Sequence, residues 1–507
     1  MKRTLAIAIA SALGASVSPA VAVMLNPRGT GQVLIYPYYT VNHQQTLVSV
    51  INTTAHGKAL KVRFREGYDG RDVANFNVYL GPYDSWVGAV YDTSEDGTGA
   101  AAVATSDASC TVPGFIGFGT PVPGLPRASL TFSNANYNQG DYGTPTGTDS
   151  GPTNLARTRE GFFEIIEMGE VVDQASGSPK TLEAITPVNG TPPGCEQVRD
   201  AWDPGGYWTT NAMTDLLPPA GGLYGAAGIV DVAQGTLYSF DAVGIDGFSD
   251  IAQHTGPNNA RPNLGGAITD SAHGIATAYV PIGNAMVRAD YPAATQAIDA
   301  VSAVLMADTL YNEFDAEPAL GAATDWVVTF PTKQFYSDPG IVGTMPLEAL
   351  PPFETVFSEG SACNGLGMKK YDREGTASTY SGCGFICPAS GGLYLCFEAS
   401  VITFNATPDD TSKALGSKLE PQPLYRPGYK TFPTGNLQLQ FSDAVELGMR
   451  PSLDGITFKG LPAVGFAATN YVNANVTPGV LSNYSGVYPH RSTVSCANST
   501  NPQSPCP

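Results

Sequence analysis

Three glutamates, Glu160, Glu164 and Glu167, are the residues best spaced for paired-carboxylate chemistry. A glycosidase holds two carboxyl groups roughly 5–9.5 Å apart. On a strand, Glu164 and Glu167 point to opposite faces, because an odd number of positions separates them. Glu160 and Glu164 share a face but stand ~13 Å apart at ~3.3 Å per residue. Local spacing builds no catalytic pair, and a solvated outer face is the expected place for all three. The sequence has no G-x-S-x-G elbow, no H-E-x-x-H pair and no phosphate-cradling loop. Its five histidines, His43, His56, His254, His273 and His490, are scattered and expected in exposed loops. No catalytic or cofactor-binding residue emerges.

Calcium suits the remaining oxygen-rich turns. Asp92, Glu95 and Asp96 precede Gly97, and Asp241, Asp246 and Asp250 punctuate the stretch DAVGIDGFSD. Asp141 and Asp149 lie in a polar loop spanning 134–154. Such loops in an acidic exported chain can hold structural Ca²⁺. None follows the D-x-[DN]-x-[DN]-G spacing, and ordinary Asp–Gly turn chemistry explains them equally well. The 24 tyrosines, with Tyr36, Tyr38 and Tyr39 nearly adjacent, can line a glycan or protein contact or fill strand cores.

Eight cysteines in an exported chain read as disulfides. Cys110 with Cys195 and Cys496 with Cys506 are the expected pairs. Cys363, Cys383, Cys387 and Cys396 allow three pairings among themselves. The Cys383-x₃-Cys387 spacing also occurs in zinc sites, but an oxidising compartment favours two disulfides.

The compartment is read from the amino terminus. Lys2 and Arg3 precede an apolar run from Leu5 to Val17, Pro19 breaks it, and Ala20-Val21-Ala22 is a small-x-small motif. This predicts a secretory signal peptide over 1–22, with the mature chain starting at Val23. No later segment has the ~18–20 apolar residues of a membrane helix. The net charge of −19 repels phosphate backbones, so nucleic-acid binding is not expected. Charged residues are 14% of the chain, against about 25% in a typical protein. With 57 glycines and 40 prolines, that composition points to an exported all-β protein with long loops.

The elements follow from periodicity. Leu60, Val62 and Phe64 alternate with Lys61, Arg63 and Arg65, which predicts a strand with one buried and one wet face. Similar short strands and tight polar turns precede and follow it. The expected class is mainly β, with two Ig-like antiparallel β-sandwich regions over 23–290 and 321–490. A helix over 293–314 is expected inside a connector spanning 291–320, because Ile298, Val301 and Leu305 recur at helical spacing. Residues 491–507 form a disulfide-stapled tail.

The run from Leu47 to Trp86, together with TREGFFEIIEMG (158–169) and TDWVVTFPTK (324–333), resembles a group of large exported cell-surface proteins of Gram-negative bacteria. The resemblance implies architecture and location and carries no site residues. The functional expectation is an exported surface or extracellular structural protein that contacts itself, a protein partner or a glycan. The alternatives are a carbohydrate-binding or glycan-cleaving secreted protein and a periplasmic assembly factor.

Overall fold

The computed structural model describes residues 22–94, 96–115, 129–139, 147–174, 177–343, 348–377, 393–405, 411–419, 432–441, 448–473, 477, 479–498 and 506. The expected signal segment, apart from Ala22, lies outside the described residues, as do Glu95, Asp141, Cys383 and Cys387. The fold is mainly β, with several antiparallel sheets and few helices.

The alternating segment forms the strand Gly57–Glu66, flanked by Asp72–Leu80 and Glu160–Val171 in an eight-stranded sheet. A six-stranded sheet runs in the order Thr236–Asp241, Leu223–Asp231, Gln45–Asn52, Ser85–Asp92, Ala101–Ala104 and Ser129–Thr131. The two sheets share one core. Leu60, Val62, Phe64 and Phe163 from the first meet Val48, Val50, Trp86 and Ile229 from the second. Phe64 stacks on Phe163 at 4.7 Å, and Tyr36 stacks on the same ring at 4.1 Å.

Farther along the chain, a five-stranded sheet contains Thr309–Asp315, Thr434–Gln440 and Asn364–Tyr371. A four-stranded sheet places Ala322–Thr329 between Ala399–Asn405 and Val464–Tyr471, with Tyr484–Pro489 at its edge. The Ala322–Thr329 strand is buried along its whole length. Trp326 and Val328 join a second core with Leu310, Phe314 and Leu439, which also takes in Val33, Ile35 and Ile166 of the first sheet. Val327, Val401 and Phe466 face the other way, into the first core.

That arrangement overturns the wet-face expectation. Lys61, Arg63 and Arg65 are buried, and so are Glu160, Glu164 and Glu167. The polar face of the sheet is covered by distant segments. Lys61 Nζ donates to the Gly256 carbonyl at 2.7 Å, and Arg65 bonds Gln334. Arg63 pairs with Asp72 at 2.8 Å and with Glu164. On the opposite face, in phase with Leu60, Lys58 pairs with Glu167 at 2.8 Å and with Glu170 at 3.0 Å. A period of two still sorts the side chains, but the second face meets hydrogen-bond and ion-pair partners from other segments, which buried charges require.

The helix expected over 293–314 ends at Leu305. Its residues from Ala297 to Leu305 are buried all round, as expected of a helix packed inside a protein. Residues 309–315 instead form a strand between Thr434–Gln440 and Arg491–Thr493. Leu310 and Phe314 face the core while Tyr311 is exposed. Pairing on both sides outweighs local propensity there.

Described residues of the polar loop over 134–154 reach the interior. Tyr137 and Asp149 are fully buried, and the Arg157 guanidinium lies 4.2 Å from the Tyr137 ring centroid. Disulfides join Cys110 to Cys195, Cys363 to Cys396 and Cys496 to Cys506. No described helix is long and apolar enough to cross a membrane.

Candidate functional site

The strands Val33–Thr40 and Gln45–Asn52 belong to different sheets, so the turn joining them crosses between layers. Asp92 and Glu160 emerge beside this turn, each at a strand end. With Tyr68, Arg159 and Lys418 they line a half-enclosed cleft of about 840 Å³. Small-molecule sites typically occupy about 300–1,000 Å³.

Glu160 forms the floor. Tyr38 and Ser417 donate their hydroxyls to one carboxylate oxygen. Asn42 Nδ2 at 3.0 Å and the Lys418 backbone N–H at 2.9 Å donate to the other. Burial pushes the Glu160 carboxyl above the usual range, against the pull of those hydrogen bonds. Arg159 forks onto Asp92, with Nη2 2.6 Å from Oδ2, and its Nε donates to Asn42 Oδ1 at 3.2 Å. Arg157 is held from behind by Glu66 at 2.7 Å and by Asp149. It lies 5.4 Å from the Tyr68 ring centroid, and Tyr68 meets Phe397 edge-on at 4.7 Å.

The turn itself is fixed. Arg159 Nη2 donates to the Val41 carbonyl at 3.2 Å, and Gln44 Nε2 donates to the Ala414 carbonyl at 2.8 Å. His43 adopts φ of 61°, a left-handed conformation uncommon outside glycine. Gln44 Oε1 is buried and has no donor among the described residues.

The expected glutamates serve as buried partners. Glu164 is taken by Arg63, and Glu167 accepts from Lys58 and from the Gly221 N–H at 2.7 Å. Only Glu160 reaches the cleft. The aspartates proposed for calcium are dispersed. Asp92 is paired with Arg159, and Asp96 accepts the Thr98 hydroxyl at 2.7 Å. Asp241 accepts from Tyr224 at 2.7 Å, Asp246 from Asn26 at 2.7 Å, and Asp250 from the Ser271 N–H at 2.8 Å. Among the described residues, no three His, Cys, Asp or Glu side chains converge on one metal position.

The histidines divide. His43, His56 and His273 are exposed, but His254 is buried between Tyr79 Oη at 2.9 Å and the Ala212 carbonyl at 2.7 Å. Burial pushes its imidazole down to about 3. His490 is partly covered and bridges the Asn312 amide and the Val327 carbonyl.

No family model, curated protein or solved structure matches this chain.

A second surface is the outer face of the six-stranded sheet. One cross-strand row runs Ser239, Gly228, Leu47, Ala89 and Ala104. The next contains Ala226, Ser49 and Val87. The small residues form the bed of a groove of about 530 Å³, with Leu47, Val87 and Leu237 on its rim. Those three are 45%, 46% and 51% exposed, so the apolar character is open to solvent. No charged side chain lines the groove. The outer face of an antiparallel sheet is usually polar. The sequence signal was present in Leu47, Val87 and Leu237, but only the pairing register brings them together.

Proposed function

We propose that this chain is an exported surface or extracellular interaction protein that associates with further copies of itself through the outer face of the six-stranded sheet. The carrying observation is the uncharged groove rimmed by Leu47, Val87 and Leu237. The chain bears a net charge of −19, so most approaches between copies are repulsive. Repulsion is least where two uncharged faces meet, and burying exposed Leu and Val side chains supplies the attraction. A two-fold pairing of identical faces is the simplest closed arrangement. Three disulfides favour an oxidising destination. An Ig-like arrangement of the two paired sheets belongs to this reading, as does the resemblance to surface proteins of Gram-negative bacteria.

The test is sedimentation velocity on the purified mature protein across a concentration series, followed by negative-stain microscopy. Dimers or ordered arrays are expected. Val87→Lys and Leu237→Lys, which place like charges in the groove, should return the protein to monomer. A monomer at every concentration would remove this reading.

A further inference from the structure

We propose that the polar cleft binds an uncharged oligosaccharide. Its lining carries three carboxylates, Asp92, Asp96 and Glu160, and three cations, Arg157, Arg159 and Lys418. Most of these charges are already satisfied within the protein. Asp92 and Arg159 are paired with each other, and Arg157 is held by Glu66 and Asp149. Glu160 is enclosed by four hydrogen-bond donors. The cleft therefore presents hydrogen-bonding groups with little net field. An anionic polymer would need an excess of unpaired cations, and a cationic ligand would need free carboxylates.

The polar groups that remain suit hydroxyls. Gln44 Oε1 is a buried acceptor without a donor among the described residues, and Gln44 is one of the residues that line the cleft. Its amide nitrogen is committed to the Ala414 carbonyl at 2.8 Å, which fixes which end is left unpaired. A ligand hydroxyl that displaces the cover over that oxygen donates to it without introducing charge. Asn154 and Ser94 line the same cleft. A sugar ring also has an apolar C–H face, and Tyr68 offers an aromatic surface for it. That ring is half-buried and fixed by Phe397 and Arg157, so little order must be imposed on binding. An extended peptide uses a row of free strand-edge amides. Here turn residues and strand ends form the walls instead.

The experiment uses the full mature protein. Isothermal titration is run with linear α-1,4-glucan, β-1,4-glucan and β-1,4-N-acetylglucosamine oligomers, beside polygalacturonate and an unrelated extended peptide. One neutral glycan is expected to bind at one site, with an affinity unaffected by added salt. Gln44→Ala and Tyr68→Ala should each weaken it about tenfold, the equivalent of one hydrogen bond or stacking contact. Tyr68→Phe, which keeps the ring, should retain binding and guards against misfolding of the alanine variant. Met286→Gln, at an exposed residue outside the lining, is the surface control. Failure of every neutral glycan to bind overturns the proposal. So does binding confined to polygalacturonate or the peptide, or neutral-glycan binding indifferent to both alanine substitutions.

Discussion

Ser485 Oγ donates to the Leu237 carbonyl at 2.8 Å and accepts the Leu237 N–H at 3.3 Å. One side chain thereby occupies both backbone groups of a residue on the edge strand of the six-stranded sheet. It also joins that edge to Tyr484–Pro489, the edge of the four-stranded sheet. Free strand edges invite pairing between chains, and this serine blocks the edge near the start of its strand. Ser485→Ala should lower stability by about 1 kcal/mol and increase association at high protein concentration. Thermal unfolding and light scattering read the two effects. No gain in association would mean that this edge is protected by something other than Ser485.

Arg157 is fully buried between Glu66 and Asp149. Truncation to alanine strands two carboxylates away from water. We expect Arg157→Ala to cost about 3–5 kcal/mol. Arg288→Ala, which breaks an ion pair at an arginine that is 57% exposed, should cost under about 1 kcal/mol. Urea unfolding of both variants decides the matter, and equal losses would contradict the burial argument.

Burial pushes the Glu398 carboxyl up to about 8 from an ordinary value of 4.5, with Arg65 and Lys333 pulling the other way. Between those two pH values the folded chain holds a proton that the unfolded chain has released. Its contribution to stability is full below 4.5 and is lost as pH rises toward 8. Glu398→Gln mimics the protonated form and should flatten stability across that window. Glu167, pushed up to about 7, slopes the same way, so the comparison is variant against parent. An unchanged pH profile in the variant would show that Glu398 does not supply the slope.

Cys110 and Cys195 are separated by 85 positions. Closing a loop of that size restricts the unfolded chain by about 4–5 kcal/mol in the loop-entropy account. The double variant Cys110→Ala/Cys195→Ala should unfold at markedly lower temperature, and a thermal scan reads it directly. A midpoint equal to that of the parent would assign the stability elsewhere.

Val23 is fully buried. Its N–H donates to the Thr277 carbonyl at 2.8 Å, and its own carbonyl accepts from Tyr279 at 2.9 Å. If the exported form starts at this residue, its terminal ammonium retains the bond to Thr277. Intact-mass measurement should find Val23 first. A secreted product that retains the preceding residues would contradict the predicted cleavage site.

Much of the strand pattern is legible in sequence, but its surroundings are not. Leu60, Val62 and Phe64 face the core as their spacing predicts. The alternation cannot distinguish water from a covering layer, because the groups that meet Lys61 and Arg65 lie at Gly256 and Gln334. Ala-rich spacing identifies the helix over 293–305 but not its end, since the competing pairing partners lie more than a hundred residues ahead. The cleft draws on Asn42, Tyr68, Asp92, Glu160 and Lys418, five separate stretches with no shared local motif. The uncharged groove is likewise a product of register.

The buried polar contacts also couple segments that lie far apart in the chain. Arg71 meets Asp338 across 267 positions, and Glu160 meets Ser417 across 257. Until the later partner has been delivered, the earlier charge does best in water, and the sheet carrying it has reason to stay open. With partners placed so far downstream, the first half of the molecule lacks its full set of buried polar contacts until the second half is in place.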